Sequence, residues 1–188
     1  KEPVGKQDQY TASHGGLNSY EFTKDGNVLI KKLKLPKSRI KQLRKKLIIF
    51  FTGYSRNSYK ILKKQDDSTK KLDHKMLENL NMVKQFGYET KRILECGKLN
   101  DLGKIMHQHW MYKKERSPSM TNKKIDHYYD YGIKNGALGG KLIGAGGGGF
   151  LMFYTNNSIL LEKKFKKFGL KKLEFDFEFS GTQLISNN

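Results

Sequence analysis

Cysteine is nearly absent: Cys96 is the only one in 188 residues. An internal disulfide framework and a multi-cysteine zinc site are therefore excluded. Cys96 itself, at a helix end, is expected to be a small buried residue. Long apolar runs are missing too. No stretch reaches the roughly 18 residues that a membrane helix needs, and residues 1–10 lack the apolar core of a secretory signal. A soluble, cytoplasmic protein is the expectation. Arginine is scarce, with 5 against 32 lysines. The net charge of +19 and pI near 9.8 would draw polyanions. The lysines are spread along the chain, however, and lack the arginine forks that read phosphate and base edges. Solvated lysine-rich faces are the plainer reading, and nucleic acid is not expected as a partner.

What is present is a mixture of helical and strand patterns. Lys6–Gly16 reads as a turn and helix. Leu17–Phe22 and Asn27–Leu35 read as strands joined by Thr23-Lys24-Asp25-Gly26, whose Asp-Gly pair favours a tight hairpin. After Pro36, Ser38–Lys46 gives a short helix. Leu47–Thr52 is a continuous apolar run suited to a buried strand. Lys71–Cys96 is helical, with Gly87 as a kink or break and Gly97 as its C-terminal cap. Asn100–Lys113 and Asn122–Lys134 follow as helices, separated by Ser117-Pro118. Ala137–Ile143 and Phe150–Thr155 are strands flanking a glycine run. A helix from Asn157 or Ser158 to Phe168 comes next. In Leu173–Phe179 apolar and acidic residues alternate with period two, the pattern of a half-buried strand, and Gly181–Ile185 reads as a last short strand. This order implies an α+β fold with antiparallel strands.

The run Gly144-Ala145-Gly146-Gly147-Gly148-Gly149 is the most unusual segment. A hairpin needs one or two glycines, and each extra one costs entropy on ordering. Close backbone approach, repeated positive φ or an anion-binding nest of amides would each account for the run; a flexible turn is the bland alternative. No Gly-Lys-Ser/Thr follows it, so it is not a Walker loop, and the strand after it excludes a dinucleotide fingerprint. Asp8, in Gly5-Lys6-Gln7-Asp8-Gln9-Tyr10, is placed either to accept a proton or orient a hydroxyl, or to start a helix on the surface. Arg56, in Thr52-Gly53-Tyr54-Ser55-Arg56, would bind an anion or face solvent. His107 and His109 lack the four-residue spacing of a helical zinc pair, so no tightly held metal is expected.

Three segments together resemble the GHMP kinases. Gly5-Lys6-Gln7-Asp8-Gln9-Tyr10 through His14-Gly15-Gly16-Leu17-Asn18 looks like the segment with that family's catalytic aspartate, although His14 stands where a small or apolar residue is usual. Thr52-Gly53-Tyr54-Ser55-Arg56 looks like its strand-end Thr-Gly-x-Ser/Thr-Arg. Ala137 through Phe150, with Leu138-Gly139-Gly140-Lys141-Leu142-Ile143 leading into the glycine run, is similar to its third motif. Within the family the likeness is strongest to the kinases of D-glycero-D-manno-heptose 7-phosphate. The family's Pro-x-x-x-Gly-Leu-Gly-Ser-Ser loop, which wraps the ATP phosphates, has no counterpart here. The chain is therefore expected to be the C-terminal portion of such a kinase, and inactive without that loop. A truncated, catalytically inactive GHMP-like protein is the alternative, with a basic nucleic-acid-binding protein behind it.

The resemblance implies a two-domain fold with the N-terminal domain truncated. Residues 1–52 would be its remnant, with apolar surface exposed on Leu17–Leu35. Residues 53–188 would be the C-terminal domain, α+β and ferredoxin-like at its centre. It also implies transfer of the γ-phosphoryl group of ATP, with Mg2+, to the anomeric hydroxyl of a sugar phosphate. Asp8 would orient or deprotonate that hydroxyl. Lys6, Arg56 and Lys141 would hold anionic groups, and Gly144, Gly146, Gly147, Gly148 and Gly149 would shape the phosphate side of the site.

Overall fold

The computed structural model describes residues 6–53, 58–71, 73–144 and 146–185. Helix α1 (Gln7–His14) leads into a two-stranded antiparallel ribbon of β1 (Asn18–Phe22) and β2 (Val28–Lys32). The Asp25-Gly26 turn joins them, and Gly26 takes a φ of 86° there. Ile30, Leu29 and Phe22 are exposed on this ribbon, while Leu33, just past it, is buried.

Helix α2 (Lys37–Lys46) runs directly into β3 (Leu47–Phe51). Helices α3 (Ser58–Lys70), α4 (His74–Cys96), α5 (Leu99–Glu115) and α6 (Lys123–Lys134) follow. They lead to β4 (Ala137–Ile143), β5 (Phe150–Thr155), α7 (Ser158–Phe165) and the short β6 (Lys172–Leu173). The helix ends obey local chemistry. Asp73 accepts from the Met76 amide, Asn122 from the Lys124 and Ile125 amides, and Asn157 from the Leu160 amide. Gly97 closes α4 in the left-handed region and returns its N–H to the Ile93 carbonyl.

The second sheet has the order β4-β5-β3-β6, and every neighbouring pair is antiparallel. The first and third of its strands in chain order, β3 and β5, lie side by side at its centre. That is the ferredoxin-like arrangement, and it comes with the period of the strands. Ile48, Phe50, Leu151 and Phe153 point to one face and pack with Trp110, Ile125, Tyr129, Leu161 and Phe165. Leu47, Met152 and Tyr154 point to the other and pack with Leu33, Leu43, Ile93, Leu99 and Met106. A division of the chain after residue 52 parts β3 from both of its partners in this sheet.

Four sequence expectations are corrected. Cys96 is exposed, because it is the last residue of α4 and faces away from the core. Gly87 does not break α4, which runs from His74 to Cys96. The strand expected over Leu173–Phe179 is limited to Lys172–Leu173, since β3 is only five residues long, antiparallel to it, and α2 ends where β3 begins. Phe175 and Phe177 remain half-buried without a ladder, Phe175 beneath the Arg44 guanidinium at 4.1 Å. Gly181–Ile185 forms no strand, and Leu184 and Ile185 stand out in solvent.

Candidate active site

The glycine run connects β4 to β5, the two strands that α5 covers. Gly144, Gly146, Gly147 and Gly149 all have positive φ, from 75° to 118°. The path is held from both sides. The Gly147 amide donates to the Met120 carbonyl at 2.8 Å, and a Cβ on Gly146 would come within 2.8 Å of the Met120 sulfur. The Thr52 amide and hydroxyl both donate to the Gly149 carbonyl, at 2.9 and 2.8 Å. Thus the Thr52-Gly53 strand end and the glycine run, far apart in the chain, meet. Gly146, Gly147 and Gly148 are buried, Gly149 is half-buried and Gly144 is exposed. Gly146 and Gly147 are packed against Met120.

Beside the loop lies a group of cations. Lys113, buried on α5, donates through Nζ to the Leu142 carbonyl at 3.3 Å and to the Gly144 carbonyl. Lys141, half-buried on β4, places Nζ 3.0 Å from His109 Nδ1. Arg116 donates through Nε to Asn79 Oδ1 at 2.7 Å, and Asn79 in turn donates to the Tyr112 carbonyl. Burial, then Lys141 and Arg116, push the Lys113 ammonium down to about 7. Burial, then Arg116, pushes Lys141 down to about 8. Burial and the three neighbouring cations drive His109 down to about 3, so its imidazole is neutral and Nδ1 can accept from Lys141. Arg116 also lines a cleft of about 620 Å³ between the start of α4 and the end of α5, together with Met76, Asn79 and Tyr112.

A stability consequence follows. The folded pKa of Lys113, about 7, lies below its ordinary value of 10.5. Between these limits the unfolded chain binds more protons than the folded one, so stability rises with pH through this window. Below the lower limit both states are charged and the penalty is constant. Unfolding temperatures are expected to climb from pH 7 to pH 9, and Lys113→Met should flatten the climb. Relief of the general positive charge acts on both proteins, so the difference in slope isolates Lys113. Parallel slopes would show that Lys113 keeps an ordinary pKa.

The residues expected from the sequence are only partly brought together. Lys141 and the glycine run share one site. Lys6 and Asp8 sit exposed at the start of α1. Lys6 donates to the Gly26 carbonyl of the hairpin turn, and α1 is tied through Ser13 to the Thr182 amide rather than to the loop. Asp8 has no hydrogen-bond or ion-pair partner among the described residues. Arg56 lies outside the described residues. Sequence reading missed His109, Lys113 and Arg116. Their spacing of four and three puts them on one face of α5, a signal hidden by the apolar residues that share the helix.

Comparison with known proteins places this geometry. Residues 82–168 match the profile described as GHMP kinases C terminal. The chain is 32% identical over 152 residues to D-glycero-alpha-D-manno-heptose 7-phosphate kinase of Campylobacter jejuni, covering 81% of this chain and 44% of that protein. Among solved structures, a Campylobacter jejuni protein assigned as a sugar kinase superposes with a TM-score of 0.69 at 28% identity, over 94% of this chain and 50% of the other. Leishmania major mevalonate kinase shares the fold, with a TM-score of 0.72 at 16% identity, over 94% of this chain and 53% of the other. The chain thus spans about half the length of these relatives. Residues 82–168 of this chain thus carry a C-terminal domain of the GHMP kinases.

Proposed function

We propose that the chain is part of a sugar-phosphate kinase that transfers the γ-phosphoryl group of ATP to the anomeric hydroxyl of D-glycero-D-manno-heptose 7-phosphate. The observation that carries this reading is the glycine loop between β4 and β5 with the Lys113 and Lys141 ammonium groups beside it. The choice of heptose phosphate is supported by the identity with the Campylobacter protein of that name. Phosphoryl transfer asks a protein mainly for positioning and for charge opposite the phosphoryl oxygens. A loop of small residues permits close approach, and cations in a poorly solvated place act more strongly than in water. Magnesium enters as part of the Mg–ATP substrate. Asp8 supplies the carboxylate that orients or deprotonates the acceptor hydroxyl.

The test is a coupled ADP-release assay on the full-length protein with Mg–ATP. Release that depends on heptose 7-phosphate, with a 1,7-bisphosphate product seen by phosphorus NMR, is the expected result. Turnover of another sugar phosphate in its place would correct the substrate. No turnover with any would leave a GHMP-like protein without kinase activity.

A further inference from the structure

Two half-buried lysines, Lys114 and Lys172, are paired with acids. Lys114 meets Asp126 at 3.2 Å, and Lys172 meets Glu162 and Glu174 at 3.1 and 2.6 Å. Lys113 and Lys141 differ. Among the described residues neither has a carboxylate within ion-pair distance. Their surroundings are two carbonyls, a neutral imidazole and more positive charge. A cation taken out of water is costly unless an opposite charge compensates it. Lys113 reaches the carbonyls of Leu142, next to Lys141 in β4, and of Gly144, just past that strand, while Lys141 reaches His109, one turn before Lys113 on α5.

The remaining donors count in the same direction. An ammonium has three N–H groups. Lys113 directs two at the Leu142 and Gly144 carbonyls, and Lys141 directs one at His109. One N–H on Lys113 and two on Lys141 are left for a ligand. Gly144, whose carbonyl Lys113 holds, faces solvent, and a Cβ there would meet nothing within 4 Å. Sites built of converging cationic donors take anions with several oxygens, and a phosphoryl group has both the charge and the oxygens.

We propose that Lys113 and Lys141, within the positive field of Arg116, form a seat for a phosphoryl group, supplied either by a sugar phosphate or by a nucleotide. Naming these two sources rests on the kinase reading above; the existence of the seat does not. His109 is a positioning residue: its Nδ1 fixes the Lys141 ammonium.

The experiment is calorimetric titration of the full-length protein with inorganic phosphate at constant ionic strength. Wild type should show one saturable site. Lys141→Met should weaken it at least tenfold, with the far-ultraviolet circular dichroism unchanged. Lys104→Met, an exposed lysine on the same helix, should leave it as in wild type, which separates the seat from the general charge. Lys113→Met is a second variant. Should it disturb the loop, Lys141→Met still decides, because Lys141 holds no backbone carbonyl. Wild-type affinity in Lys141→Met, or no saturable site in wild type, overturns the proposal. Kinetics then identify the source. A raised KM for heptose 7-phosphate with KM for ATP unchanged assigns the seat to the acceptor's phosphate; the reverse assigns it to the nucleotide. Phosphate binding that Lys141→Met abolishes, in a protein without turnover, supports the seat and counts only against the kinase reading.

Discussion

Gly139→Val is expected to abolish the folded state. Helix α5 and strand β4 approach each other at two glycines, Gly103 and Gly139. A Cβ on Gly139 would lie 1.7 Å from the Gly103 carbonyl oxygen, 2.6 Å from its carbon and 3.1 Å from the His107 nitrogen. These are backbone atoms of a helix, so no side chain can turn aside to relieve the contact. Overpacking with a side chain that can adjust costs about 1–3 kcal/mol, and here the whole helix must move. Lifting α5 would uncover Trp110, Met106 and Leu102, all buried. Against a domain stability of about 5–15 kcal/mol, that loss is decisive. Cooperative thermal unfolding and near-ultraviolet circular dichroism should both disappear. Gly144→Ala is the contrast. It has open space and a φ of 86°, so only left-handed strain of about 1–2 kcal/mol applies and the fold should persist. A Gly139→Val protein that melts within about 4 °C of wild type, the shift of a single kcal/mol, would refute the close approach.

This contrast bears on how the sequence is read. The glycine-rich stretch from Gly139 to Gly149 looks uniform in the sequence, yet it does two jobs. Gly139 and Gly140 are there for packing, against Gly103 and Phe153. Gly144 to Gly149 make the turn. Their composition reveals that something approaches closely, but not what. Elements with strong local chemistry were legible: the Asp25-Gly26 hairpin, the helix start at Asn157 or Ser158, the Gly97 stop and the apolar run of β3. Helix α3 was not, because Tyr59, Ile61 and Leu62 are bunched near its start and give no stripe along it. The alternation in 173–179 reads as a half-buried strand, whereas only Phe175 and Phe177 are half-buried, Leu173 and Phe179 are exposed, and the strand ends at Leu173. Period two describes which way side chains point, whereas a ladder also needs a partner, and β3, antiparallel to this segment, begins only at Leu47. The cationic face of α5 escaped for a related reason. Helix faces are assigned by their apolar residues, and His109, Lys113 and Arg116 become a group only when β4 supplies Lys141.

Asp8→Asn is expected to lower kcat about a hundredfold or more while KM for ATP changes little. The bland role for Asp8 is a negative charge in the first turn of α1, where it complements the helix dipole. Losing that would cost about 0.3–1 kcal/mol of stability and nothing in turnover. The two roles therefore separate in one variant, because asparagine keeps the size and hydrogen-bonding reach of aspartate but cannot accept a proton. The structure leaves the Asp8 carboxylate exposed and without a partner among the described residues, so no ion pair competes with a substrate hydroxyl for it. The placement of α1, and with it of Asp8, is held through the Lys6 contact to Gly26 and the Thr182 contact to Ser13. A displacement of about 1 Å at a reacting centre can cost a hundredfold, so this placement matters as much as the carboxylate. Gly15 is its pivot: a Cβ there would sit 2.4 Å from the Gly181 nitrogen. Gly15→Ala should then depress kcat with Asp8 intact, by shifting α1, whereas Asp8→Asn should depress it with α1 in place. A Asp8→Asn protein with wild-type turnover and a slightly lowered melting temperature would return Asp8 to the helix start.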